Sequence, residues 1–221
     1  MKNINTAEYW DSRFASGDWE EKKGCQQTIA FAKEQVTKLG LPKSFAGSIL
    51  DFGCGLGDAF QIYKRMFPNA KLIGIDHSID GINKCKQKYS HLADFIHGSI
   101  EDVPLVDVII SSNVFEHLSN DIEIAEQLAA HCKKLYIIVP YNEPISSLKE
   151  TEHINTYDER SFPSLKCLKK TVFESFGLGK KKWWNALYFV WFKNIFRLIV
   201  QGKIWVYTPP KEIMFEFQGK L

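Results

Sequence analysis

One stretch constrains this chain more than any other: Ile49-Leu50-Asp51-Phe52-Gly53-Cys54-Gly55-Leu56-Gly57-Asp58. An apolar run leads into an acidic residue, and three glycines follow at alternate positions. The run reads as a buried strand. The glycines read as a turn from which side chains are absent so that another group can approach the backbone. The segment from Ala59 to Phe67 then reads as a helix stopped by Pro68. Strand, glycine turn and helix form the opening unit of a nucleotide-binding sheet.

Past this unit the two periodicities alternate. Strands are expected over 48–53, 71–76, 93–97, 105–111 and 135–139, and helices over 58–67, 79–89 and 121–131. Such alternation implies a parallel sheet with right-handed crossovers, whose ligands bind beyond the carboxyl ends of the strands. The first four ends are Gly53, Asp76, the Gly98-Ser99 turn and Ser112-Asn113, which would line one crevice. Ahead of the sheet, residues 1–20 carry Tyr9, Trp10, Phe14 and Trp19 on a short amphipathic segment. It either packs on the main body or forms a lid over the ligand, with Arg13 facing a carboxylate. Residues 26–39 have helical spacing, ended by Gly40-Leu41-Pro42. After Pro140 the chain turns polar. A short helix interrupted by Pro163 is expected within 158–168, a sixth strand over 169–176 and a last strand over 212–217. A single domain over 1–221 is expected, with a helical cap (1–44), a ligand-binding core (45–140) and an acceptor side (141–221).

The totals exclude several classes. With 221 residues, 45% hydrophobic and 24% charged, the chain can bury one sizeable core. A formal net charge of +2 gives no argument for nucleic acid as a partner. Cys25, Cys54, Cys85, Cys132 and Cys167 are scattered without a CxxC pair, so a zinc site is not expected and a cytoplasmic, reducing setting is. No apolar signal core opens the chain and no run of about 18 uncharged apolar residues occurs, so no membrane span is expected.

The glycine turn itself selects a ligand. A dinucleotide fold wants G-x-G-x-x-G, whereas this chain has G-x-G-x-G followed by Asp58. Asp51 before the turn and Asp58 after it would repel a pyrophosphate at close range. Negative charge there suits a cationic ligand without phosphate, and S-adenosylmethionine has that chemistry. Asp76 ends the second strand about 20 residues further on, the offset of a ribose-binding acid.

At these residues the chain resembles class I S-adenosylmethionine-dependent methyltransferases. Residues 51–57 look like their first motif and Gly74-Ile75-Asp76-His77-Ser78 like the second. The segment from His97 to Pro104 looks like the third, whose loop flanks adenine, and the segment from Asp107 to Leu118 is similar to the one after strand four. The resemblance covers roughly 45–140. It implies a Rossmann-like three-layer α/β sandwich with a seven-stranded, mostly parallel sheet and an antiparallel final strand. It also implies cofactor contacts at Gly53, Gly55, Asp76, the Ser99-Ile100 loop and Asn113, to which Asp51, His77 and the lid residue Arg13 are added. Many members have Asp where this chain has Ser99.

Methyl transfer needs an aligned acceptor and, for a hydroxyl, a proton acceptor. The candidate bases are His77, His117 and His153, with His153 and His117 as the expected catalytic pair. Related small-molecule and sugar methyltransferases often have a similar His followed by an aromatic residue in the loop that holds His153. Some methyltransferases of ubiquinone biosynthesis and of small-RNA 2′-hydroxyls hold a divalent metal with Glu and His after strand four. By that resemblance Glu116, His117 and His153 would be the ligands, but neutral Asn113 replaces the first acidic ligand, and no metal is expected. Residues 183–200 are densely aromatic behind Lys180-Lys181-Lys182. They are either an insertion roofing the acceptor pocket or a helix in a membrane interface, which would place the protein at the inner face of the membrane. The expectation is an enzyme, a methyltransferase acting on a small-molecule or glycan hydroxyl. The alternatives are a non-catalytic cofactor-binding regulatory domain and a metal-dependent O-methyltransferase.

Overall fold

The computed structural model describes residues 5–145, 152–177, 195, 198–200, 202 and 210–221. Its strands are β1 (Ser48–Phe52), β2 (Lys71–Asp76), β3 (Asp94–His97), β4 (Val106–Ser112), β5 (Cys132–Pro140), β6 (Cys167–Glu174) and β7 (Lys211–Gln218). They form a seven-stranded sheet in the order β3-β2-β1-β4-β5-β7-β6. The first five strands are mutually parallel, and β7 runs antiparallel between β5 and β6. The expected mixed sheet with a reversed last strand is therefore present. The winding changes direction at β1, which pairs with β2 on one side and β4 on the other. That switch point opens a crevice beyond the carboxyl ends.

Successive residues of a strand face opposite layers, and both layers here are apolar. Ile49 packs with Phe60, Tyr63 and Ile82, while its neighbour Leu50 packs with Ala125 and Leu128. Phe60 and Tyr63 belong to α4 (Phe60–Met66) and Ile82 to α5 (Ile79–Tyr89), Ala32 of α3 (Gly24–Gln35) joins the same cluster, and the second group belongs to α6 (Asp121–Ala130). Two shorter helices precede them, α1 (Ala7–Ala15) and α2 (Asp18–Glu21). Thr6 caps α1 by accepting from Tyr9 N, and Ser78 caps α5 by accepting from Gly81 N.

Three expectations need correction or limits. The helix expected within 158–168 is a pair of turns, because Asp158 Oδ1 accepts from Arg160 N at 2.7 Å and Ser161 Oγ accepts from Asp158 N at 3.0 Å. Helix α4 begins at Phe60, two residues past the expected start. The aromatic segment 183–200 lies outside the described residues except for 195 and 198–200. Among the described residues, no helix is long and apolar enough to cross a membrane. All five cysteines are free.

Candidate active site

The glycine turn is held by strand β2. Gly53 N and Cys54 N both donate to Ile75 O, at 2.9 and 3.1 Å. Gly53 has φ +77°, and a Cβ there would lie 2.4 Å from Val114 Cγ2. Gly55, at φ +55°, donates its N–H to Asp76 Oδ2 at 2.8 Å. Asp76 Oδ1 accepts from Ser78 N at 2.9 Å. The turn and the start of α5 thus clamp one carboxylate, whose oxygens keep lone pairs for a ligand.

A cavity of about 430 Å³ opens at this clamp, lined by Asp51, Gly53, Gly55, Asp76, His77, Ser99, Ile100 and Asn113. These are the expected cofactor residues apart from Arg13. The Arg13 guanidinium does face a carboxylate, but it is that of Glu152 in the chain itself, at 2.7 Å, with Asp18 at 3.4 Å. Asp51 is buried, and that burial, followed by the charge of Asp76, pushes its carboxyl up to about 7. Asp58 is turned away from the cavity. Its Oδ1 accepts from the Tyr89 hydroxyl at 2.6 Å and from Lys88 Nζ at 2.9 Å, so it is neutralised inside the α4–α5 layer. The repulsive pair read at the turn is therefore Asp51 with Asp76, not Asp51 with Asp58. Where many relatives carry Asp, the Ser99 hydroxyl donates to Glu101, which also lines the cavity.

A second cavity of about 520 Å³ lies beside the first, and Trp10, Trp19, Phe31, Asn113 and His117 line both. Glu116 and His117 sit on a short 3-10 turn, Phe115–His117, directly after β4. The loop from Glu152 to Tyr157 is clipped onto that turn. Ile154 N donates to Glu116 O at 2.7 Å, Asn155 Nδ2 to Leu118 O at 2.6 Å, and the Tyr157 hydroxyl to Phe115 O at 2.8 Å. This clip brings His153 to the turn, so that ligand-capable atoms of Glu116, His117 and His153 all lie within 4.8 Å of one another.

The protonation of this cluster follows from its partners. His153 Nδ1 lies 2.5 Å from Glu143 Oε2, and His117 Nδ1 lies 3.2 Å from Glu152 O. Carboxylate and carbonyl only accept, so each ring carries a proton on Nδ1, and Nε2 is the atom each neutral ring would offer to a proton or an ion. Burial, with His153 beside it, lowers His117 to about 4. Glu116 is 1% exposed, and neither of its carboxylate oxygens has a hydrogen-bond partner. Burial pushes its carboxyl well above the usual range, and the nearby Glu212 and Glu143 push it the same way.

Comparison with known proteins matches the same part of the chain. Residues 49–134 fit the model of a family described as a methyltransferase domain. A curated trans-aconitate 2-methyltransferase of Afipia carboxidovorans is 32% identical over 95 residues, which are 40% of this chain and 37% of that enzyme. A fatty-acid O-methyltransferase of Mycolicibacterium smegmatis is 33% identical over 60 residues, 27% of this chain and 22% of that enzyme. Residues 49–134 are a class I S-adenosylmethionine-dependent methyltransferase domain. The chain matches well under half the length of these curated relatives. Solved structures extend the fold likeness further along the chain. A methyltransferase of Haloferax volcanii in complex with the Trm112 activator aligns with TM-score 0.68 and 15% identity, over 96% of this chain and 98% of that one. Coclaurine N-methyltransferase aligns with TM-score 0.62 and 12% identity, over 86% and 72%.

The first cavity carries acid and little base. Asp51, Asp76 and Glu101 line it, and among the described residues no lysine or arginine does. That donor set fits a sulfonium cofactor without phosphate and does not fit a pyrophosphate. Sequence reasoning missed the polar group that separates the two cavities. Glu212 of β7, 4% exposed, accepts from Gln35 Nε2 at 3.0 Å and from Asn113 Nδ2 at 3.2 Å, and the Ser112 hydroxyl donates to Gln35 Oε1 at 2.9 Å. Glu212 opens an alternating strand, where a sequence reads it as a solvent-facing acid, so nothing local marked it. Glu143 and Glu152 were missed because each is an acid in a polar loop, with partners that only the fold brings near.

Proposed function

We propose that the chain transfers a methyl group from S-adenosylmethionine to a hydroxyl of a small molecule or glycan. The donor would occupy the 430 Å³ cavity and the acceptor the 520 Å³ cavity. The observation that supports this reading is their shared wall at Asn113 and His117, across which an acceptor atom would meet a donor methyl group. Asp76 takes the ribose hydroxyls, and Asp51 faces the positive end of the cofactor. Bound S-adenosylmethionine would supply a methyl group activated by its sulfonium, and Nε2 of His153 or His117 would accept the proton of the acceptor hydroxyl. The relatives named for trans-aconitate and for fatty acids support a small-molecule acceptor.

Two measurements test it. The wild type should bind S-adenosylhomocysteine in calorimetry, and Asp76→Ala should not. Methyl transfer from labelled cofactor across sugar nucleotides, lipid-linked glycans and quinone precursors should label a hydroxyl, and His153→Ala should stop it. Binding without transfer to any acceptor class would favour a non-catalytic cofactor-binding domain. Labelling of protein or nucleic acid alone would overturn the substrate class. Peripheral membrane contact through 183–200 belongs to the same reading, and a protein that stays in the supernatant with anionic vesicles lacks it.

One observation favours a second reading, metal-dependent transfer. Glu116 offers two unpartnered buried oxygens beside two imidazoles whose Nδ1 protons are already committed. Two nitrogens and one carboxylate suit a first-row transition ion better than magnesium, and Glu143 behind His153 is the kind of outer partner such ligands have. Such an ion would lower the pKa of an acceptor hydroxyl. Addition of Co2+ after chelation should then give a visible absorption band that Glu116→Gln removes. A colourless protein with activity unchanged by chelation would remove this reading.

A further inference from the structure

Helix α1 spans the donor cavity, and it is fastened on both sides. Trp10 and Phe14 line the cavity from above. On the donor side, Asp11 Oδ1 accepts from the Ser78 hydroxyl at 2.5 Å and from Asp80 N at 3.2 Å, and Lys84 Nζ donates to Phe14 O at 2.5 Å. On the acceptor side, Trp10 packs edge-on against His117 with ring centroids 5.6 Å apart, and Glu152 supplies the hydrogen bonds. The Glu152 carboxylate accepts from the Tyr9 hydroxyl and, at 2.7 Å, from Arg13 Nη1. Its carbonyl accepts from Asn5 Nδ2 at 3.0 Å and also from His117 Nδ1 at 3.2 Å. Glu152 has φ +66°, a backbone conformation that a non-glycine residue keeps only when its surroundings enforce it. The next residue is His153.

We infer that Glu152 is a positioning residue that ties closure of α1 over the donor cavity to the seating of the two acceptor-side histidines. The oxygens of its side chain hold the lid, and its carbonyl is shared between the lid and His117. Donor exchange requires Trp10 and Phe14 to move off the cavity, and α1 carries both. Lifting α1 breaks the Tyr9, Arg13 and Asn5 contacts and removes what holds the left-handed conformation at Glu152. The carbonyl then rotates away from His117, and the adjoining His153 shifts with it. With the donor bound and α1 closed, His117 is fixed as the Nδ1–H tautomer with Nε2 toward the acceptor. With α1 open it is released. The acceptor groups are thus set only when a donor is in place, which guards against unproductive acceptor binding.

The inference rests on the donor lying in the first cavity, and the experiment separates the two. Release of S-adenosylhomocysteine from the full chain is followed by stopped flow, and the tautomer of His117 by NMR of 15N-histidine-labelled protein with and without that ligand. Glu152→Gln is expected to speed release about tenfold, the range for losing hydrogen bonds to a charged group. It should also abolish the change in the His117 signal on ligand addition. Tyr9→Phe, which deletes one hydroxyl and leaves the loop intact, should do both to a smaller degree. Arg13→Gln should speed release less in the Glu152→Gln background than in the wild type, because the Arg13–Glu152 contact is then already gone and only those to Asp18 and the neighbouring rings remain. If Glu152→Gln releases the ligand at the wild-type rate, or if its His117 signal still responds as in the wild type, the inference fails. If the wild type does not bind S-adenosylhomocysteine, the donor reading fails instead.

Discussion

Glu116 Oε1 stands 4.0 Å from Nε2 of His153, and neither carboxylate oxygen of Glu116 receives a hydrogen bond. A buried polar group left without a partner costs folding stability, so a residue in this state serves something other than the fold. Glu116→Met, which is similar in volume and apolar, should therefore stabilise the free protein by about 1–3 kcal/mol and, on the metal-dependent reading, remove methyl transfer. Denaturant titration and the labelled-donor assay check the two halves. A destabilised variant would show that Glu116 has a structural partner after all.

Asp76 has the opposite balance. Its carboxylate is fixed by two backbone donors, Gly55 N and Ser78 N, at 2.8 and 2.9 Å. Asp76→Ala should lose about 1.5–3 kcal/mol of stability, in the range of one or two hydrogen bonds to a charged group. It should also lose measurable S-adenosylhomocysteine binding. Asp76→Asn keeps the shape but cannot accept on both sides, and should bind weakly with a smaller loss of stability. Equal binding by Asn and Asp at this position would place the ribose elsewhere.

Asp51 makes stability fall with rising pH. Burial raises its carboxyl from 3.8 to about 7 in the folded chain. Between those values the folded state keeps a proton that the unfolded chain has released. Its unfavourable contribution is absent below about pH 4, grows through the window and is complete above about pH 7. The full effect is on the order of 4 kcal/mol. Asp51→Asn should flatten this part of the pH profile and be the more stable protein at pH 8, with weakened donor binding. Parallel profiles for variant and wild type between pH 4 and 8 would mean that Asp51 does not titrate there.

Asp107 acts in the reverse sense, away from the site. Hydrogen bonds from Lys133 Nζ and then from Ser48 N lower its carboxyl from 3.8 to about 2. A depressed carboxyl stabilises above its unfolded value and loses that contribution as pH falls through the folded one. Its side chain is 30% exposed, so solvent screening leaves about 1 kcal/mol. Asp107→Asn should be weaker than the wild type by that amount at pH 6, with the gap closing as pH falls from about 4 through about 2. Donor binding should not change.

The sheet was legible because its signals are local. The apolar run before Gly53, the runs at 71–76 and 105–111 and the glycine turn each carry their own periodicity, and the strands formed within a residue or two of where those patterns placed them. The lining of the first cavity was legible for a related reason, since Gly53 and Asp76 lie at strand ends that any parallel sheet brings to one edge, with Gly55 in the turn between. Asp58 was misread because a sequence shows that it follows the turn, not which way it points. Lys88 and Tyr89, some 30 residues on, decide that. Arg13 was read as a cofactor ligand because its partner Glu152 is 139 positions away.

By itself the sequence determined the order of strands and helices, the glycine turn and the acid at the end of β2, because each depends on contacts within a few residues. Only the tertiary structure decided what surrounds that turn. Packing of the 152–157 loop onto the turn after β4 assembled Glu116, His117 and His153, and docking of α1 against Glu152 set Trp10 and Phe14 against the first cavity. Both are hydrogen-bonded contacts between segments far apart in the chain, where any polar loop could supply a partner. Their identity is fixed by the geometry of the folded sheet and not by any pattern in the sequence.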